Sequence, residues 1–148
     1  PCFLVLFLFM SACGGSHPRY TPPKPESRRA ALVRLGQALE GLPYRWGGGD
    51  IDGFDCSGLV YYVYDCFGYA LPRKAAEMAE SLTLSPVTRP PQGGDVLLFR
   101  IEGAWHAGLA LDGTSFLHAP KKGDPVRREI LNRFWRSLLK GLIEPPAT

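Results

Sequence analysis

The segment Leu42–Cys66, LPYRWGGGDIDGFDCSGLVYYVYDC, carries the strongest structural signal in the chain. It contains a glycine-rich loop, residues 47–53, in which the backbone can turn sharply. Asp55 then fits the N-cap of a helix, and apolar residues recur at helical spacing until Gly68, a suitable C-cap. The pattern predicts a helix that begins at Cys56 and ends just before Gly68.

Cys56 therefore lies in the first turn of the predicted helix. Unpaired N–H groups and the helix dipole favour negative charge there, so we expect its thiolate to be stabilised. The N–H groups of Cys56 and Ser57 can also receive an oxyanion. The alternative is that Cys56 is a small buried apolar residue. Cys66 lies at the opposite end of the helix, where we expect a core cysteine.

Two histidines follow in strand-like sequence. Alternating segments predict three strands, at residues 95–101, 105–111 and 115–119. Asp112-Gly113 predicts a two-residue hairpin turn between the last two strands. His106 and His118 lie about equally far from that turn, so the hairpin brings them together on one face. His106 can then act as a base, with His118 orienting its ring.

Two other interpretations of the histidines stay open at this point. Each can be a satisfied, half-buried side chain without a chemical role. The set Cys56, His106 and His118 could also bind zinc, but no CxxC or HxxxH spacing supports a metal site. We expect neither a metal nor a cofactor.

Six blocks of sequence occur in an order that resembles a known family. They are YRWGG, DCSGLV, Leu71-Pro72-Arg73, GDVLLF, HAGLAL and FLHAP, within residues 28–145. Together they resemble the NlpC-type cell-wall cysteine peptidases. The resemblance implies a papain-like α+β domain in which an N-terminal cysteine-bearing helix packs on a central antiparallel β-sheet.

The resemblance also implies roles for individual residues. Cys56 corresponds to the nucleophile, His106 to the base and His118 to the third polar residue, while Tyr44 lines the site and assists the oxyanion. The family's usual substrates are peptidoglycan stem peptides, cut at bonds of D-glutamate and diaminopimelate or at cross-links. The implied function is a cell-wall peptide hydrolase, a cysteine endopeptidase.

Further residues of the same blocks are expected at the substrate. We predict that Trp46, Asp55 and Arg73 contact it and that Ser57 lines the active site. An alanine follows Leu-Pro-Arg-Lys where a small hydroxyl residue is common, which leaves the choice of substrate open.

Length and charge limit the function classes. The 148 residues suffice for one domain with a real core. The net charge of +3 suits an anionic wall polymer, but without a basic run it does not indicate nucleic-acid binding. We expect a monomer whose partners are peptidoglycan stem peptides and a membrane.

The membrane partner is expected from the first residues. An unbroken apolar run, Phe3–Met10, is far shorter than the roughly 20 residues of a spanning helix and fits a signal peptide. Ser11 and Ala12 precede Cys13, a pattern that resembles a bacterial lipoprotein signal in residues 1–12, with lipid attached to Cys13. An ordinary signal peptide or a buried strand is the alternative. The missing initial methionine and basic segment indicate a truncated start.

The rest of the chain divides into a tether and a domain. Residues 13–25 are polar and proline-rich, which predicts an extended tether, and residues 26–148 form the peptidase domain. In the lipoproteins that this segment resembles, a glycine rather than an aspartate after the lipidated cysteine favours the outer membrane. With Gly14 at that position, we expect a periplasm-facing lipoprotein of the cell envelope, in the outer membrane. Within the domain, helices are predicted at residues 26–40 and 74–82, and a strand at 125–131. A final helical turn at 132–139 should point Phe134, Trp135 and Leu138 inward.

Two rival functions share these features. One is a non-catalytic wall-binding lipoprotein that keeps the fold. The intact Cys56, His106 and His118 argue against it. The other is an acyl or peptidyl transferase that passes the same thioester to an amine instead of water.

Overall fold

The computed structural model of the protein describes residues 27–81 and 87–147. The helices are α1 (Arg28–Ala38), α2 (Cys56–Asp65), α3 (Ala75–Ser81) and α4 (Arg133–Leu138). The strands are β1 (Gly49–Asp50), β2 (Gly53–Phe54), β3 (Val96–Ile101), β4 (Ala104–Ala110), β5 (Ser115–His118), β6 (Arg127–Ile130) and β7 (Leu139–Ile143). The predicted signal sequence, Cys13 and the tether lie outside the described residues, so they stay predictions.

The centre of the domain is a five-stranded antiparallel sheet in the order β6-β5-β4-β3-β7. The predicted α+β class is therefore confirmed. Strand β7 was not predicted. It begins directly after α4 ends and pairs with β3 at the edge of the sheet. None of the helices in the described ranges is long and apolar enough to cross a membrane.

Helix α2 packs on the sheet as expected. Asp55 is its N-cap, and the Asp55 carboxylate accepts a hydrogen bond from the Gly58 N–H at 2.6 Å. Three apolar side chains of α2 are fully buried in the core between the helices and the sheet: Leu59, Val60 and Val63. This packing fixes the start of α2, and with it Cys56, against the sheet.

The opposite face of the sheet is covered by α4. Trp135 packs there against Phe99 and Phe116, with ring centroids 5.0 Å from each. Phe134, predicted to point inward, is instead 62% exposed. Successive helical residues lie about 100° apart around the axis, so neighbours on this short helix do not both face the sheet.

The hairpin between β4 and β5 differs from the predicted two-residue turn. The Leu111 N–H bonds to the Ser115 carbonyl at 2.9 Å, which leaves a three-residue loop. The Asp112 carboxylate stabilises this loop by accepting hydrogen bonds from the N–H groups of Thr114 and Ser115. Leu109 pairs with Leu117, so the histidines are diagonal neighbours and do not lie directly opposite each other.

Cys66, predicted to be a core cysteine, is exposed. It is the C-cap of α2, and the end of the helix, residues 65–68, extends to the surface. Cys56 and Cys66 are both free thiols in the part of the chain that the structure describes.

Candidate active site

The predicted site residues converge on one cleft of about 570 Å³. Its lining consists of Tyr44, Trp46, Gly47, Asp55, Cys56, Ser57, Arg73, Lys74, Ala75, Ala76, Ala104, Trp105, His106 and Pro120. His118 is not in this lining, because it is buried behind His106 with 2% of its surface exposed. The structure therefore brings together the residues that the sequence singled out, with His118 in a supporting position.

Cys56 begins α2 and receives hydrogen bonds from several backbone N–H groups. Burial raises the pKa of the Cys56 thiol, and the negative charge of Asp55 raises it further. The N–H of Ala107 lowers that pKa, as do those of Ser57 and Cys56 itself. The net shift is upward, so the expectation of a stabilised resting thiolate is wrong. Burial outweighs the helix terminus, and the resting group is a thiol.

The Ala107 contact is one that sequence analysis missed. Ala107 follows His106 on β4, so the same stretch of strand supplies a side chain to the cleft and an N–H to the sulfur of Cys56. A backbone donor leaves no signature in the sequence. The contact depends on how α2 is seated on the sheet.

His106 and His118 form a directly bonded pair. Nε2 of His106 lies 2.9 Å from Nδ1 of His118, and the two rings are nearly perpendicular at 88°. Burial lowers the pKa of His106, and the adjacent His118 lowers it further. Burial also lowers the pKa of His118, and the positive charge of Arg127 adds to this effect. Both imidazoles are therefore neutral at physiological pH, the form in which His106 can accept a proton.

Trp135 holds this pair against the sheet. Its ring centroid lies 5.3 Å from that of His118 and 6.2 Å from that of His106. Phe116 contacts His118 from another side, at 5.1 Å. The prediction that Trp135 is a core residue is therefore correct, but sequence analysis missed its contact with both histidines.

Arg73 and Asp55 bind each other beside the cysteine. The two guanidinium nitrogens lie 2.9 and 3.0 Å from the two carboxylate oxygens of Asp55, a bidentate pair. Arg73 also donates to the Gly48 carbonyl at 2.8 Å, which ties the glycine-rich loop to the start of α2. Both side chains line the cleft, and their predicted contact with substrate stays a prediction.

Tyr44 and Trp46 border the cleft on the side of the glycine-rich loop. Burial raises the pKa of the half-buried Tyr44 phenol, and negative charge on Cys56, when its thiol ionises, and on Asp55 raises that pKa further. The Tyr44 hydroxyl is therefore close enough to Cys56 for the charge of the thiolate to affect its pKa. Trp46 is 89% exposed, so its indole is free to stack on a ligand at the rim. Across residues 27–81 and 87–147, no three acidic, histidine or cysteine side chains are grouped as metal ligands.

The structure thus places a cysteine at the start of a helix beside a histidine pair on an antiparallel sheet. The model of the NlpC/P60 family matches residues 41–143. The chain belongs to the NlpC/P60 family, which confirms the resemblance drawn from its sequence motifs.

Individual relatives support the same family. The chain is similar to Murein DD-endopeptidase MepH of Escherichia coli (strain K12), with 34% identity over 122 residues that cover 76% of this chain and 45% of the relative. It is also similar to gamma-D-glutamyl-L-lysine dipeptidyl-peptidase of Bacillus subtilis (strain 168), with 38% identity over 99 residues that cover 64% of this chain and 33% of the relative. The chain thus spans less than half the length of both.

A solved structure agrees in fold. The NlpC/p60 domain of the peptidoglycan hydrolase SagA superposes with a TM-score of 0.68 and 30% sequence identity. The match covers 80% of this chain and all of the SagA domain. The shared unit is therefore the whole NlpC/p60 domain of that structure.

Proposed function

We propose that the protein is a cysteine peptidase that hydrolyses the peptides of peptidoglycan in the cell envelope. The observation that carries this proposal is the shared cleft of Cys56 and His106, with the far ring nitrogen of His106 engaged by His118. This arrangement leaves Nδ1 of His106 as the ring nitrogen available to the thiol.

The proposed reaction begins from a neutral thiol and a neutral imidazole. The Cys56 sulfur attacks the peptide carbonyl carbon while Nδ1 of His106 takes the thiol proton, and the carbonyl electron pair moves onto oxygen. The N–H groups of Cys56 and Ser57, with the Tyr44 hydroxyl, donate to this oxyanion. When the C–N bond breaks, His106 gives its proton to the leaving amine. Water, deprotonated by His106, then attacks the thioester carbonyl carbon. The C–S bond breaks, the acyl group leaves as a carboxylic acid, and His106 returns the proton to the Cys56 sulfur.

Neutral partners suit this sequence of steps. A buried resting thiolate–imidazolium pair would place two charges in a poorly solvated cleft, whereas the raised pKa of Cys56 and lowered pKa of His106 favour the uncharged pair. Proton transfer then coincides with attack, when the developing negative charge moves to the oxyanion donors. His118 maintains the orientation of the His106 ring through each of these proton transfers.

The names of the relatives support a peptidoglycan substrate and suggest two candidates for the bond that is cleaved. One relative is named for a DD bond in murein, and the other for the γ-D-glutamyl-L-lysine bond. We infer that this chain cuts stem peptides at a bond of one of these kinds.

We also propose that the protein is tethered to the outer membrane and faces the periplasm. The support is the apolar run Phe3–Met10, the small residues before Cys13 and the proline-rich stretch after it. Expression with an alkyne-bearing fatty acid should label the full chain, and Cys13→Ala should abolish the label. Labelling that survives this substitution would contradict a lipid on Cys13.

The activity is tested by digesting muropeptides and intact sacculi with protein that lacks residues 1–13. Products are read by mass spectrometry, under reducing conditions. Cys56→Ala should abolish new fragments, whereas Cys66→Ala, a change at the exposed cysteine of the same helix, should leave them unchanged.

The outcomes separate three functions. Fragments that carry a new free carboxyl group indicate hydrolysis and identify the bond. Fragments that incorporate an added amine indicate a transferase. Binding to sacculi without products, from wild-type protein and Cys56→Ala alike, would contradict the proposal and indicate a wall-binding protein.

A further inference from the structure

His118, the more deeply buried histidine of the pair, has one ring nitrogen that takes no part in its hydrogen bond with His106. Nε2 of His118 is buried and has no hydrogen-bond partner among the described residues. Its other nitrogen, Nδ1, is engaged with His106. A buried polar atom without a partner is unfavourable, so a group close to it is a candidate partner.

Glu129 is that group. Its Oε2 atom lies 3.6 Å from Nε2 of His118, across the pairing of β5 with β6. Moving the carboxylate closer by about 0.7 Å gives the usual N–H···O distance of about 2.9 Å. The Glu129 side chain is 29% exposed, so it has room to make this adjustment by rotating.

The register of the two strands explains the contact. Phe116 pairs with Glu129 and His118 pairs with Arg127, so Glu129 is the diagonal neighbour of His118 on the same face of the sheet. Phe116 and Trp135 pack against the His118 ring and restrict it to this orientation. The imidazole therefore has His106 at one nitrogen and Glu129 facing the other.

Whether Nε2 of His118 carries a proton decides the direction of the hydrogen bond between His118 and His106. If Nε2 of His118 carries the proton, Nδ1 of His118 is an acceptor and accepts a hydrogen bond from the N–H at Nε2 of His106. Nδ1 of His106 is then unprotonated and can accept the proton of Cys56. With the opposite tautomer, His118 donates to His106, whose Nδ1 then carries a proton and is no longer a base.

We propose that Glu129 is a positioning residue that fixes the tautomer of His118, and through it the basic form of His106. A carboxylate accepts hydrogen bonds and cannot donate one when ionised, so it selects the form of His118 with the proton on Nε2. The inference rests on the proposed peptidase function for its effect on rate. The tautomer itself can be observed without a substrate.

Arg127 and Asp124 are the other charged groups that act on His118, and Glu129 is the carboxylate that lies within 4 Å of its Nε2 among the described residues. Arg127 lies opposite His118 on β6, but a guanidinium has no acceptor atom. It donates to Glu129 through Nε at 3.3 Å and lies 3.5 Å from Asp124. The same oxygen of Glu129, Oε2, faces both Arg127 Nε and His118 Nε2, and a carboxylate oxygen has the lone pairs to accept from both.

The test uses nitrogen NMR of the isotope-labelled full chain at neutral pH. Long-range proton–nitrogen spectra distinguish a protonated from an unprotonated ring nitrogen. We expect a protonated Nε2 and an unprotonated Nδ1 on His118. Glu129→Leu should lose this preference and about tenfold in kcat, with KM unchanged, since outer partners of functional histidines contribute on that order.

Two further variants separate positioning from folding. Glu129→Gln keeps the size of the side chain but adds an amide donor that can satisfy either tautomer, so it should weaken the preference for a protonated Nε2 and lower kcat by less than Glu129→Leu does. Arg127→Gln removes the exposed ion pair with Glu129 and should leave both unchanged. Thermal unfolding of each variant checks that it is folded.

Three results would overturn the inference. These are an unprotonated Nε2 on wild-type His118, a Glu129→Leu variant with wild-type tautomer and kcat, and an Arg127→Gln variant with the same losses as Glu129→Leu. A protein with the expected tautomer that hydrolyses no peptide would instead overturn the proposed function alone.

Discussion

Replacing Gly58 with alanine should detach the glycine-rich loop from the start of α2. A Cβ at position 58 would lie 2.0 Å from the Gly48 carbonyl oxygen and within 3 Å of polar atoms of Arg73 and Asp55. Ordinary contacts begin at 3.4 Å, so the loop would have to retreat by about 1.4 Å. The neighbour is backbone, which has no rotamer that could relieve the clash.

The loss of stability follows from the hydrogen bonds that this shift of the loop would break. The Gly48 carbonyl accepts hydrogen bonds from the Asp55 N–H at 3.0 Å and from Arg73 at 2.8 Å. Losing both costs about 2 kcal/mol, and residual overpacking costs about 2 kcal/mol more. Alanine's better helix propensity returns about 1 kcal/mol. The net expectation is a loss of about 3 kcal/mol in the free energy of unfolding.

Urea unfolding measures this loss, and Gly68→Ala is the matched control. Gly68 has φ +75° with nothing within 4 Å of an added Cβ. Its substitution therefore costs backbone strain alone, about 1 kcal/mol. A Gly58→Ala protein as stable as wild type, or no less stable than Gly68→Ala, would refute the close-approach argument.

Three further predictions concern the reacting groups. Asp55→Asn keeps an N-cap but removes the negative charge that raises the pKa of Cys56, so the pH profile of Cys56 alkylation should move to lower pH. An unmoved profile would count against this charge effect. Burial lowers the pKa of His106 and His118 below 6.5, so as the pH falls below that value the unfolded chain takes up protons that the folded protein does not. The free energy of unfolding should fall by up to about 1.4 kcal/mol per pH unit for each histidine, and urea unfolding with His118→Gln should show a shallower slope. A slope unchanged by His118→Gln would contradict this origin. His118→Ala should reduce kcat about a hundredfold, less than Cys56→Ala, because it disorients the base without removing the nucleophile. Equal losses in the two variants would argue against an orienting role.

The local features of the site were accessible from the sequence. Asp55 as an N-cap and Cys56 in the first helical turn follow from residue type and spacing within a few positions. His106 and His118 were predicted to meet from a two-residue turn that the structure replaces with a three-residue loop. The prediction survives because long imidazole side chains reach a diagonal neighbour as well as a direct one.

Features that depend on tertiary packing were not accessible. The raised pKa of Cys56 results from burial against β4, and no residue pattern reports that burial. The Glu129 contact depends on the register of β5 with β6. Phe134 and Cys66 were predicted to lie in the core, whereas Phe134 is 62% exposed and Cys66 lies at the exposed end of α2.

Trapping the acyl-enzyme tests the central claim most directly. Wild-type protein would be mixed with muropeptide, quenched in acid and measured as intact protein, followed by peptide mapping. The account predicts an added mass equal to an acyl stem fragment, carried on Cys56, absent in Cys56→Ala and present in Cys66→Ala. Product formation with the adduct on Cys66, or undiminished by Cys56→Ala, would contradict it.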